Sequence, residues 1–111
     1  MSVVISSEER HDEVAFSNTE LTIEALEQAQ LQVANAKSLI INLERIERME
    51  DGVANFLLSW SNSVKPFKSF KLCAVNEEVS KALPEDLEIL PTLTEAQDLI
   101  FMEEVERELG L

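Results

Sequence analysis

The 111-residue chain carries 22 acidic residues against 9 basic ones, a formal net charge of −13. That charge argues against nucleic acids and anionic membrane surfaces as partners, since both repel it, and it suits a protein partner with a basic face, although solubility alone also accounts for it. One cysteine excludes an intrachain disulfide, and no apolar stretch approaches the roughly 20 residues that span a bilayer, so we expect a single cytoplasmic domain over residues 1–111.

The N-terminal half of the chain predicts two strands, a helix and a third strand. Thr22 is the expected N-cap of the helix, whose apolar residues recur at spacings of three and four. The segment SLIINL is almost continuously apolar, which is typical of a strand covered on both faces. The predicted elements are strands at 3–5 and 13–16, the latter extending towards Leu21, a helix at 23–36 and a strand at 38–43.

The C-terminal half predicts two further strands and three helices. Asp51 or Gly52 begins the second helix, and Pro66 lies just past its end. Asn76 is the expected N-cap of a short third helix, and Thr92 or Thr94 that of the last one. The predicted elements are helices at 51–64, 77–83 and from about residue 95 to Leu109, and strands at 70–75 and 87–90.

The order of these elements, β-β-α-β-α-β-α-β-α, predicts an α/β fold. Strands that alternate with helices are joined by crossovers, which favours one mostly parallel sheet of four or five strands with four helices packed on it. The first strand lies too close to the second for a crossover, so we expect it to be antiparallel and at an edge.

Order, spacing and several local segments resemble the STAS domain, the fold of bacterial anti-sigma-factor antagonists. The similarity covers nearly the whole chain. It depends on the order and spacing of several segments together, since no single segment is specific to the family. The segments that carry it are ELTIE at 20–24, LIINL at 39–43, VNEEVSKAL at 75–83 and LTEA at 93–96.

This resemblance implies a non-catalytic regulatory module that binds a protein, either an anti-sigma kinase or related signalling protein, or the ATPase subunit of a transport complex. Members of the family carry Asp-Ser-Ser-Gly or Asp-Ser-Ala-Gly before the second helix and are phosphorylated there. Here Gly52 matches the glycine, whereas Asp51 occupies the phospho-acceptor position, so the hydroxyl is absent. The implied partner-binding residues are Glu47, Glu50, Asp51, Gly52 and Asn55.

Two interpretations of Asp51 remain open. Its carboxylate is suited to cap the second helix, where negative charge is favourable. Alternatively, it keeps the surface permanently charged, as a partial mimic of phosphoserine, which carries about 1.5 to 2 negative charges. The neighbouring acidic residues do not have the spacing of a calcium loop, and we predict neither a metal nor a cofactor.

An enzyme that uses the strand-end carboxylates as general acid and base is a less favoured hypothesis, since no nucleophile or phosphate-loop motif is present. We expect His11, between Arg10 and Asp12, to be a solvated loop residue. Cys73 lies in an apolar strand, where cysteine usually packs as a small hydrophobe.

The last helix suggests a third hypothesis, a structural or accessory subunit that assembles through it. Phe101, Val105 and Leu109 recur every four residues and form an apolar seam. This seam either continues the packing on the sheet or makes a partner or homodimer contact. Trp60, on the second helix, is expected in the core rather than at an interface.

Overall fold

The computed structural model describes residues 3–33 and 37–110. It contains four helices and seven strands in this part of the chain, numbered in chain order. The strands are β1 (Val3–Ser7), β2 (His11–Phe16), β3 (Glu20–Leu21), β4 (Ser38–Asn42), β5 (Arg48–Met49), β6 (Phe70–Cys73) and β7 (Ile89–Leu90). The helices are α1 (Ile23–Gln32), α2 (Val53–Val64), α3 (Glu77–Lys81) and α4 (Leu93–Glu108).

The main sheet has five strands in the order β1-β2-β4-β6-β7. β2, β4, β6 and β7 pair in parallel, whereas β1 lies antiparallel to β2 at the edge. The predicted α/β fold with a mostly parallel sheet and an antiparallel first strand is therefore confirmed. A separate parallel pair, β3 with β5, was not predicted.

The two faces of the sheet are covered unequally. Leu39 and Ile41 of β4 lie in the large core that α1 and α2 share with the sheet. Ile40, between them, belongs to a smaller cluster formed with Cys73 and two residues of α4. Successive side chains of a strand point to opposite faces, so β4 is buried on both, as its apolar sequence predicts.

Local capping signals place three of the four helix starts. Thr22, Asn76 and Thr92 each accept a hydrogen bond through the side chain from the backbone N–H three residues later. These bonds satisfy N–H groups that the first turn of a helix leaves without partners. α1 ends at Gln32 rather than at residue 36, and Ala36 lies outside the described residues.

Trp60 is a core residue, as expected from its position on α2. It is 6% exposed, and its ring makes edge contacts with the rings of Phe56 and Phe70 at centroid distances of 6.4 and 5.5 Å. No helix in residues 3–33 and 37–110 is long and apolar enough to cross a membrane.

Candidate partner-binding surface

The segment between β4 and α2 leaves the sheet at the carboxyl end of its central strand. Backbone hydrogen bonds hold it in place, because Glu47 N–H and Arg48 N–H both donate to the carbonyl of Thr19, at 2.7 and 3.2 Å. Glu50 N–H donates to the carbonyl of Leu21 at 2.9 Å. The short β3–β5 pairing thus fixes the start of α2 against the start of α1.

Gly52 is the N-cap of α2, and its backbone is in the left-handed region, with φ of 90°. A Cβ atom at this position would lie 3.0 Å from Ile23 Cδ1. Side chains disfavour this backbone conformation, and the space for one is also small, so the fold itself calls for glycine here.

The first interpretation of Asp51, as the cap of α2, is wrong, because the N-cap of α2 is Gly52 and no side chain caps this helix. The capping carboxylate is that of Glu50, and it serves the other helix. Glu50 Oε2 accepts a hydrogen bond of 2.9 Å from the backbone N–H of Ile23, the first residue of α1. A negative charge is favoured at that helix N-terminus. Glu50 therefore connects the starts of α1 and α2.

The five residues predicted to bind a partner, Glu47, Glu50, Asp51, Gly52 and Asn55, are all exposed. We call them the β5–α2 surface. They lie on β5's flank, the loop that follows it and the first turn of α2. Arg45 and Arg48 lie among the acidic residues of the 44–51 segment. Arg48 forms an exposed ion pair of 3.8 Å with Glu20.

Comparison with solved structures decides the fold. A STAS-domain protein from Planctomyces limnophilus, described as an anti-sigma-factor antagonist domain, superposes with a TM-score of 0.70 at 22% identity, over 90% of this chain and 98% of that one. The anti-sigma factor antagonist SpoIIAA, in its unphosphorylated form, gives a TM-score of 0.67 at 16% identity, over 99% of this chain and 100% of that one. The chain has the STAS fold. No family model and no curated protein matches the sequence.

Two cavities lie beside the 44–52 loop. A cavity of about 240 Å³ beside β5 is lined by Glu47 and by Glu78 of α3, and one of about 50 Å³ by Glu44. Each of these cavities holds only one of the loop carboxylates. Among the described residues, no group of three or more histidine, cysteine, aspartate or glutamate side chains is placed to hold a metal ion.

His11 and Cys73 are both buried. The prediction that His11 is a solvated loop residue is wrong, because His11 begins β2 and is 8% exposed. Its Nε2 has no hydrogen-bond partner among the residues that the structure describes. Cys73 is fully buried, and burial raises the pKa of its thiol to about 12. A neutral, enclosed thiol fits the predicted packing role rather than a nucleophile.

The outer face of α4 leaves apolar side chains in solvent. Phe101 is 55% exposed and Leu109 67% exposed, while Val105 between them is half-buried. Met102 adds a further side chain that is 58% exposed. Arg10 lies over the Phe101 ring, 5.3 Å from its centroid. The seam is thus at the surface of the STAS fold, where a homodimer contact remains a prediction.

The inner face of α4 is more polar than the sequence suggests. The buried stripe of α4 consists of Ala96, Ile100 and Glu104, at spacings of four. Below its C-terminal half lies a cluster of hydrogen bonds and ion pairs that we call the α4–sheet polar network. Its members are Ser38, Lys68, Ser69, Lys71, Glu88, Glu103, Glu104 and Arg107.

Glu104 is the most enclosed carboxylate of this network, at 6% exposure. Its Oε1 accepts hydrogen bonds from Ser38 Oγ at 2.5 Å and from Arg107 Nη1 at 2.7 Å, and its Oε2 lies 3.4 Å from Lys68 Nζ. Lys71, 4% exposed, bonds to Glu88 and to Glu103. Glu104 lies four residues after Ile100 on α4, and Lys71 lies within the fully buried strand β6, but their charges indicate exposure in the sequence.

The network holds the pKa of both glutamates below the ordinary value. Burial alone would raise the pKa of Glu103, but hydrogen bonds from Lys71 and Ser69 and the charges of Lys71 and Arg107 outweigh it. Burial likewise opposes ionisation of Glu104, and the Ser38 hydrogen bond with the charges of Lys68 and Arg107 lowers its pKa.

We expect the stability of the protein to fall as the pH drops below about 4.5, the ordinary pKa of these side chains. In that range the unfolded chain binds protons that the folded chain still excludes, so acid favours unfolding. Urea unfolding between pH 3 and 6 measures this loss. The double variant Glu103→Gln with Glu104→Gln should show a shallower decline, and an unchanged slope would contradict the assignment.

Proposed function

We propose that this protein is a non-catalytic regulatory module that acts by binding another protein through the β5–α2 surface. The STAS fold supports the general class, since both solved neighbours are described as anti-sigma-factor antagonists. The observation that carries the proposal is the exposed, acidic loop before α2, which the β3–β5 pair and the Glu50–Ile23 hydrogen bond tie to the start of α1. A loop already held by such contacts loses less conformational freedom on binding than an unattached one.

The partner that this surface suits has a basic face, because Glu47, Glu50 and Asp51 are exposed carboxylates on a chain of net charge −13. An anti-sigma factor or related kinase, or the ATPase subunit of a complex, is the class that we propose. Asp51 in place of a hydroxyl residue gives the surface a constant negative charge. Binding would then not be controlled by phosphorylation at this position.

Binding rather than catalysis is also supported by the shape of the site. Neither of the two cavities beside the 44–52 loop holds two of the loop's own carboxylates, as an acid–base pair drawn from this loop would need, although Glu47 shares its cavity with Glu78 of α3. The buried, neutral Cys73 offers no nucleophile.

The variant Asp51→Lys should weaken partner binding by about tenfold or more, because it places a positive charge against a basic face. Little stability should be lost, since Asp51 is exposed and caps no helix. The measurement is affinity capture from native lysate with the wild type and the variant side by side, followed by titration of the captured protein against each.

Glu85→Lys is the matched control, because it makes the same charge reversal at an exposed residue beside Asp86, whose carbonyl contacts Lys65 at the end of α2 that is farther from Asp51. A specific partner stays bound to this control and is lost from Asp51→Lys. Equal binding by both variants, with melting curves that show both are folded, would remove Asp51 from the interface.

An accessory subunit that assembles through α4 is the second candidate, favoured by the exposure of Phe101 and Leu109. Sedimentation of the wild type and of the double variant Phe101→Ser with Leu109→Ser tests whether the protein forms a homodimer through α4. A dimer that the double variant abolishes would favour assembly through α4, and a monomer at all concentrations would argue against homodimerisation.

A further inference from the structure

An open cavity of about 390 Å³ lies between the residues that lead into β2 and the middle of α4. Ile100, which is fully buried, and Phe101, which is 55% exposed, line it with apolar side chains. Volumes of about 300–1,000 Å³ are usual for small-molecule sites. The cavity therefore has the size and the apolar contact area for the body of a small ligand.

His11 also lines this cavity, and it is more than nine-tenths buried, at 8% exposure. Its Nε2 is enclosed and has no hydrogen-bond partner in the part of the chain that the structure describes. A buried polar atom without a partner is unfavourable, and most such atoms are paired. The torsion about the Cβ–Cγ bond of histidine is broad, so a turn of the ring can bring Nε2 to the cavity. A ligand bound there would supply the missing partner.

The charged groups of the cavity favour a cation over an anion. Three exposed carboxylates line it, those of Glu8, Glu9 and Asp98. Arg10 is the one cation among the described residues that line it, and its charge is already matched, because Nη1 donates to Glu108 at 2.5 Å. Neither Glu8 nor Asp98 forms an ion pair within the described part of the chain. These two carboxylates are therefore available to attract a positively charged ligand.

We propose that this cavity binds a small organic amine, with its apolar body against Ile100 and Phe101 and its ammonium group donating a hydrogen bond to His11 Nε2. An ammonium group suits both polar observations. It carries N–H donors for Nε2 of a neutral imidazole whose proton is on Nδ1, and it carries the positive charge that the exposed carboxylates favour. A carboxylate ligand would instead meet like charges. The ligand class is therefore an alkyl or aryl amine that is protonated at neutral pH.

This site is independent of the β5–α2 surface. His11 is the first residue of β2, which is parallel to β4, so the cavity is at the amino edge of the parallel strands. The β5–α2 surface follows β4 and lies at the carboxyl edge. A failure of either proposal leaves the other unaffected.

His11 is the only histidine of the chain, so the NMR signals of its imidazole ring need no assignment. The experiment titrates phenethylamine into the isotope-labelled full chain at about pH 8, where an imidazole is neutral and a primary amine is protonated. Salt at about 0.15 M screens the attraction between the amine and the acidic chain beyond roughly 8 Å. We expect a saturable shift of the His11 Nε2 signal. The affinity should exceed that of the uncharged phenethyl alcohol by about tenfold, the usual size for one hydrogen bond to a charged group.

His11→Phe should remove the preference for phenethylamine over phenethyl alcohol, because phenylalanine keeps an apolar ring and has no hydrogen-bond acceptor. Backbone amide signals measure binding in this variant. Asp98→Asn should weaken amine binding about threefold, the usual size for an exposed ion pair. Glu106→Gln is the matched control, because it removes the same charge from an exposed residue of α4 that does not line the cavity. It should bind the amine as the wild type does.

Three results would overturn the proposal: no saturable shift of the His11 signal, equal affinity for phenethylamine and phenethyl alcohol, or the same loss of affinity in Glu106→Gln as in Asp98→Asn. The last result would assign the attraction to the net charge of the chain instead of this cavity. Melting curves of each variant without phenethylamine check that it is folded. Asp98 is exposed, so Asp98→Asn and its control test the site even if His11→Phe disturbs β2.

Discussion

Replacing Glu104 by alanine should lower the free energy of unfolding by about 2–3 kcal/mol. Ser38, which is fully buried, would lose the acceptor of its hydroxyl, and Lys68 and Arg107 would lose their shared counter-charge. Removal of one partner from a fully buried ion pair costs about 3–5 kcal/mol. The estimate here is smaller because the Lys68 and Arg107 side chains are 32% and 35% exposed and can turn towards water.

Urea unfolding and thermal melting measure this loss, and Glu106→Ala is the matched control. Glu106 lies on the same helix and is exposed, so the same substitution there should change stability by no more than about 0.5 kcal/mol. Glu104→Gln, which keeps the shape but removes the charge, should fall between the two. Equal stability of the two alanine variants would show that the network does not hold α4 on the sheet.

Replacing Gly52 by alanine should cost about 1–2 kcal/mol, because an L-residue disfavours the left-handed backbone that this position adopts. The new Cβ would also meet Ile23 Cδ1, but that atom is the end of a side chain and can move. Backbone conformation should therefore dominate the cost. Thermal melting of the variant provides the measurement.

Two further variants separate these causes. Gly52→Asn should lose less stability than Gly52→Ala, since asparagine tolerates the left-handed region better. Combining Gly52→Ala with Ile23→Val removes the Cδ1 atom, and we expect it to restore little. Full recovery in that double variant would instead make the contact with Ile23 the cause. Gly110→Ala, with φ of 74° and nothing within 4 Å of the place that a Cβ would take, should cost no more than Gly52→Ala, since only the backbone conformation opposes it.

Local sequence was sufficient wherever a single segment carries its own signal. Thr22 and Asn76 cap helices through bonds that span three residues, so each cap is visible in a short window. For the last helix the sequence leaves Thr92 and Thr94 open, and the structure shows Thr92. The apolar run of β4 likewise indicates a strand buried on both faces. The order of these elements then limits the sheet to a mostly parallel arrangement.

Contacts between segments that are distant in the chain were not predicted from the sequence. Glu50 caps α1, which begins 27 residues earlier in the chain. The sequence of the loop alone instead favours Asp51 as a cap of α2. The β3–β5 pair consists of two-residue strands, which are too short to show an alternation. The charged neighbours of His11 in the sequence indicate a solvated residue, yet it begins β2 and is 8% exposed.

The sequence by itself determined the α/β class, the antiparallel first strand, the resemblance to STAS domains and the absence of a hydroxyl at position 51. These follow from the spacing of apolar residues, from helix caps and from residue identity, all of which can be read within a short stretch of sequence. Only the tertiary structure decided which carboxylate caps which helix, and that Glu104 and Lys71 are buried in a polar network. Burial of a charge depends on partners brought together from distant parts of the chain, here β4, β6 and α4, and no local pattern specifies that meeting.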